Sequence, residues 1–145
     1  MVEVRFYQLR RDPVERVVPL LAAKALESGG RVLVVSGDAA QRAALSDALW
    51  AREGEFLAHG EADAPHSDRQ PVLLAARCDG ADGGRTVILA DGEWREEAIG
   101  FERAMLLFGP EQTATARGLW THLSGMGHAP RIFKQHDDGR WREGA

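Results

Sequence analysis

A continuous apolar run, Val32-Leu33-Val34-Val35, constrains the fold more than any other segment. Four consecutive strand-favouring apolar residues leave no face for water, so a strand built from them must be covered on both sides of a sheet. Upstream, residues 4–9 alternate and carry Val4, Phe6 and Tyr7, which predicts a first strand. Between the two, Val14, Val17, Val18, Leu21 and Ala25 recur at helical spacing through Ser28. Asp12 before Pro13 predicts an N-cap and a first helical position, and Gly29-Gly30 predicts the stop, because glycine reaches positive φ at low cost. The chain therefore opens as a β-α-β unit.

Asp38 is expected to cap a second helix running to about residue 52, with Leu45, Ala48 and Leu49 inward and Gln41 and Arg42 facing water. This order favours a parallel α/β sheet. Residues 72–76, 86–89 and 105–108 read as strands separated by segments too short and glycine-rich for full helices, so the second half of the sheet is expected to be partly antiparallel. Thr113 or Thr115 is the expected cap of a helix to about residue 125, and residues 131–135 form a last strand. Residues 60–70 and 78–85 read as loops. The expected architecture is a mixed, mostly parallel sheet flanked by helices.

With 145 residues, 44% of them hydrophobic, the chain has room for one domain, residues 1–145. A net charge of -4 argues against coating nucleic acid through overall charge and points to protein partners. The distribution is uneven: Arg117, Arg131, Lys134, Arg140 and Arg142 face only Asp137, Asp138 and Glu143 in the last stretch. Such an end is either a solvated face or a docking surface for something acidic. The single Cys78 excludes an internal disulfide and a thiolate-clustered zinc site, which fits a reducing compartment. No signal-peptide pattern and no apolar stretch near the roughly 20 residues of a membrane span occur, so a cytoplasmic location without membrane contact is expected.

A β-α-β start makes nucleotide binding the first enzymatic hypothesis. Neither lysine sits in a phosphate loop, and residues 8–13 after the first strand contain no glycine to admit a pyrophosphate. Ser36-Gly37-Asp38 reads as a turn plus cap, and Ser36 lacks a nucleophile elbow. His59, Asp63, His66 and Asp68 have metal-ligand chemistry at a spacing that matches no zinc motif. Asp91, Glu93, Glu96 and Glu97 around Trp94-Arg95 read as a surface turn with counter-charges, and Cys78 has no histidine nearby in sequence. No catalytic residue, metal site or cofactor is assigned. A small nucleotide- or metal-dependent enzyme stays an alternative that fold alone does not exclude. Another is direct single-stranded DNA binding through Trp120, Phe133 and Trp141.

The stretch 116–141 carries binding chemistry. Arg117 and Trp120, three apart, fall on one helix face, where a guanidinium and an aromatic can receive a carboxylate and an apolar side chain together. Four landmarks precede it in order: Phe6-Tyr7-Gln8-Leu9, Gly30-Arg31-Val32-Leu33, Leu49-Trp50, and Phe56-Leu57-Ala58-His59. Together they make the chain resemble the chi subunit family of bacterial DNA polymerase III holoenzyme, non-catalytic accessory proteins of the clamp loader.

The resemblance implies a Rossmann-like α/β fold without ATPase activity, acting as an adaptor whose contact with DNA is indirect. One surface would bind the acidic C-terminal tail of single-stranded DNA-binding protein, which ends in phenylalanine. Arg117 would pair with its carboxylates, and Trp120 would line the phenyl pocket. Thr121 departs from the family pattern, which has a lysine directly after the aromatic; Lys134, Arg131 and His122 are the candidate replacements. For Trp120 the alternative role is core packing alongside Leu119 and Leu123. Trp50, Phe56 and Leu57 match the apolar patch that faces the psi subunit or the clamp loader; read alone, Trp50 and Phe56 are core.

Overall fold

A computed structural model of the chain describes residues 2–51, 59–61, 72–78 and 85–144. Among these, eight strands form one sheet: β1 (Glu3–Gln8), β2 (Val32–Val35), β3 (His59–Glu61), β4 (Val72–Ala75), β5 (Thr86–Leu89), β6 (Arg103–Phe108), β7 (Arg131–Gln135) and β8 (Trp141–Glu143). Their spatial order is β3-β4-β2-β5-β6-β1-β7-β8. Helices α1 (Val14–Glu27), α2 (Ala39–Ala51) and α3 (Thr113–Gly125) flank it. The architecture is α/β with a mixed, mostly parallel sheet, for which Rossmann-like is a loose description.

The buried run expected at residues 32–35 is the sheet's centre: β2 pairs in parallel with β4 and β5, and all four of its side chains are buried. β1 lies between β6 and β7, parallel to both. The antiparallel component is smaller than expected from the second half of the chain. It is confined to β8, paired with β7, whereas β5 and β6 run parallel. Their connection, residues 90–102, includes a 3-10 turn at Glu96–Gly100 and is long enough for a crossover without a full helix.

Alternation along the strands sends side chains to two cores. Val17, Val18, Leu21 and Ala25 of α1, with Leu45 and Leu49 of α2, cover the face bearing Tyr7, Val32, Val34 and Leu107. On the other face, Ala116 and Leu123 of α3, with Ala98 and Phe101, cover Phe6, Leu33, Val35, Leu106 and Phe108.

Several helix ends differ from expectation. Pro13, not Asp12, is the N-cap position of α1, and no side chain caps it. Asp12 has been recruited elsewhere: its carboxylate accepts a 2.8 Å hydrogen bond from Gln135 Nε2. Neither Thr113 nor Thr115 caps α3, because a 3-10 turn at Pro110–Gln112 leads directly into it and Thr113 Oγ1 donates to the Pro110 carbonyl. Asp38 does cap α2, accepting from the N–H groups of Ala40 and Gln41. Gln41 and Arg42 do not simply face water; they donate to the carbonyls of Ala90 and Ser36. Gly29 and Gly30 end α1 with φ of 92° and 86°. No helix among the described residues is long and apolar enough to cross a membrane.

Candidate functional site

The parallel strands end in a crevice of about 390 Å³ bordered by Leu9, Asp12, Gln41, Asp91 and Glu111. In open α/β sheets this is where nucleotides bind. Here its acids outnumber its one cation, Arg10, which is held by Asp137 at 2.7 Å, so a phosphate would meet net repulsion. Asp91 is also committed. Arg95 grips it through both oxygens at 2.8 and 2.9 Å, and the N–H groups of Gly37 and Glu93 donate to it. Burial would raise the Asp91 carboxyl, but the Arg95 and backbone hydrogen bonds outweigh it and hold it below its ordinary value. Asp91 and Arg95 thus form a structural pair; Glu93 and Glu97 are exposed around them. Ser36 is buried and bonded to the Asp38 backbone, away from any nucleophile role.

A second pocket, about 430 Å³, opens between α3 and the strands β1, β6 and β7. Its apolar part comes from strand alternation. Phe6 and Phe108 meet edge to face at 6.3 Å, and the Trp120 ring tilts onto Phe6 at 5.3 Å. Ile132 and Ala116 complete that part. Its polar lining consists of Gln8, Thr113, Arg117, Thr121 and Lys134, without a single carboxylate. Arg117 and Lys134 are exposed, and neither forms an ion pair among the described residues. Thr121 Oγ1 is turned back to donate to the Arg117 carbonyl at 3.2 Å.

All four residues expected at the tail site, Arg117, Trp120, Thr121 and Lys134, therefore border one pocket. Trp120 is half-buried, packing on the core while it borders the pocket; Leu123 is fully buried and Leu119 is partly so. Of the three candidate replacements for the cation missing at Thr121, only Lys134 is in place. Arg131 lies on the opposite face, over the Phe133 ring and bonded to Glu143. His122 is directed at Glu96, 3.9 Å away. Phe6 and Gln8 also line the pocket, a placement readable from the alternation of β1, whereas nothing in the sequence marked Phe108.

The aromatics considered for single-stranded DNA are split between faces. Trp120 borders the pocket, while Phe133 and Trp141 pack around Tyr7 on the α1 side. Phe56 and Leu57 of the expected psi-facing patch lie outside the described residues, as does the Trp50 side chain. So do Asp63, His66 and Asp68; among the described residues no cluster of three or more His, Cys, Asp or Glu could hold a metal. Cys78 is buried against the α3-side core.

One α/β sheet thus carries an acidic crevice at the carboxyl ends of its strands and a cation-rimmed aromatic pocket on one face. Comparison with curated proteins finds no significant match. A family model, DNA polymerase III chi subunit, HolC, matches residues 1–131. The chain belongs to that family and is an accessory subunit of DNA polymerase III; the family is a non-catalytic part of the polymerase.

Proposed function

We propose that the pocket between α3 and β7 receives the acidic C-terminal tail of single-stranded DNA-binding protein and so links the polymerase to coated template. The carrying observation is a pocket that joins an aromatic floor to two cations without an ion-pair partner among the described residues, and whose lining holds no carboxylate. In a chain of net charge -4, such a site selects a ligand carrying both negative charge and an apolar end. A C-terminal phenylalanine preceded by acids has both. Trp120 and Phe6 take the ring, and Arg117 and Lys134 take the carboxylates. Thr121 removes a cation from the helix, and Lys134 supplies one from the strand. A short peptide buries little surface and is ordered on binding, so a dissociation constant on the order of micromolar is expected, weakening with salt.

Trp50, Phe56 and Leu57 make up the second half of the proposed adaptor, the surface for psi or the clamp loader. The setting is the cytoplasm, with DNA contacted only through partners and no cofactor.

The test is fluorescence anisotropy of a labelled peptide ending in Asp-Ile-Pro-Phe. Wild type should bind in the micromolar range. Arg117→Ala should weaken binding by about 10- to 100-fold, the range for a lost charge-assisted hydrogen bond. Arg117 is exposed, so this variant should melt like wild type. Trp120→Ala and removal of the terminal phenylalanine should each weaken binding comparably. Absence of binding by folded wild type would refute the reading.

A further inference from the structure

The β7–β8 hairpin carries a second cation that the pocket does not include. In its antiparallel register Lys134 lies directly opposite Arg142. Residues opposite each other project to the same face, and Lys134 borders the pocket on the α3 side, so Arg142 continues that side one strand further out. Like charges placed directly opposite destabilise a strand pair. Neither cation has an ion-pair partner among the described residues, and Arg142 is exposed.

The rest of the hairpin shows that this is not its general condition. On the opposite face Arg131 is neutralised by Glu143 and Glu3, and in the turn Arg140 is 3.8 Å from Asp138. Two residues after Arg142, Gly144 sits close to the same face: a Cβ there would crowd Ile132 Cγ2 at 3.0 Å and lie in ordinary contact with Lys134 Cε at 3.5 Å. The hairpin thus pairs Arg131 and Arg140 and leaves Lys134, which borders the aromatic pocket, and Arg142 opposite it without an ion-pair partner among the described residues. The family match ends at residue 131, before both.

We infer that Arg117, Lys134 and Arg142 form one cationic strip leading from the pocket across the hairpin to the sheet edge, and that an acidic peptide lies along it. This rests on the proposed peptide site and adds a direction and a length requirement. Strands lie about 4.8 Å apart and an extended peptide advances about 3.3 Å per residue, so a chain leaving Lys134 reaches Arg142 within about two residues. Arg142 therefore reads a carboxylate upstream of the one met by Lys134, and it favours a tail with several acids over one with a single acid beside its terminal phenylalanine.

The experiment compares two labelled peptides with the same last four residues, Asp-Ile-Pro-Phe. One is preceded by three aspartates and the other by three asparagines. Both are titrated at low salt with wild type, Arg142→Gln and Arg117→Ala. Wild type should prefer the aspartate peptide. Arg142→Gln should reduce that affinity by about three- to tenfold, as expected for one partly exposed charge pair, and leave the asparagine peptide unaffected. Its melting temperature should not fall, because the substitution removes a like-charge neighbour. Unchanged affinity of Arg142→Gln for the aspartate peptide, with binding still dependent on Arg117, would overturn the strip and spare the pocket. Equal loss for both peptides would also overturn it, since Arg142 would then act on the pocket rather than on upstream acids. Wild type binding neither peptide would overturn the pocket reading and the strip together.

Discussion

The crevice at the carboxyl ends of the strands and the pocket beside α3 have similar volumes and opposite electrostatics. In the crevice, most polar groups satisfy one another: Asp91 with Arg95, Arg10 with Asp137, and Gln112 with the Asp91 carbonyl and the Gly109 N–H, while Gln41 Oε1 has no partner among the described residues. In the pocket, Arg117 and Lys134 border an aromatic floor with no counter-ion among the described residues. A nearly closed set of hydrogen bonds stabilises the fold and leaves little for a ligand. An unfinished one adds little to the fold and is available for binding. The difference predicts that substitutions around the crevice change stability without changing peptide affinity, and those at the pocket rim do the reverse.

Gln135 should give the largest stability effect. Its buried side chain accepts from the N–H groups of Arg10, Arg11 and Asp12 at 2.9–3.1 Å and donates to Asp12, fastening the end of β7 to the segment that enters α1. Gln135→Leu strands these donors and should cost about 2–3 kcal/mol in urea unfolding, within the usual range for unsatisfied buried groups. Because Lys134 adjoins it, peptide binding measured on the remaining folded fraction also tests the comparison. Affinity within about twofold of wild type keeps the two regions separate. A collapse in affinity would show that this clamp sets the pocket's geometry.

Asp91→Asn should come next, at about 1–2 kcal/mol, because it exchanges a bidentate charge pair for a neutral amide. The sign with pH follows from the lowered folded value. Asp91 contributes stability above its unfolded pKa, near 3.8, and that contribution is lost as pH falls through the lower folded value. Wild type and Asp91→Asn should therefore differ fully at neutral pH and converge in acid, measured by urea unfolding at a series of pH values. A gap that stays constant into acid would mean that Asp91 acts through packing and not through its charge.

How much of this was legible in the sequence depended on whether the cause was local. The β2 run and the spacing in α1 are local signals, and they placed the central strand and its covering helix. Arg117 and Trp120 are three residues apart on one helix, so their place on a common face was readable without a fold. Capping failed where a distant residue competed: Gln135, more than a hundred positions away, claims Asp12. The β8 strand, three residues with two of them exposed, has no periodicity to detect, and without it the Lys134–Arg142 register is invisible. Strand order also lay beyond local reading, since β1 joins β6 and β7 through pairings between opposite ends of the chain.

The smallest expected effect tests whether the pocket needs a pliable wall. Gly118 lies in α3 directly after Arg117, is exposed, and has nothing within 4 Å of the position a Cβ would take. A glycine inside a helix carries excess unfolded-state entropy, so Gly118→Ala should stabilise the protein by about 0.5–1 kcal/mol in thermal or urea unfolding. Gly118 is not among the pocket's lining residues, so charge-driven binding predicts an unchanged peptide affinity. A stabilised variant that loses affinity would mean that α3 must bend to admit the ligand, and the separation between fold-stabilising and binding regions would fail within that helix. Equal affinity with a higher melting temperature would place the site's selectivity in its unpaired cations and aromatic floor, held on a helix that can be stiffened without consequence.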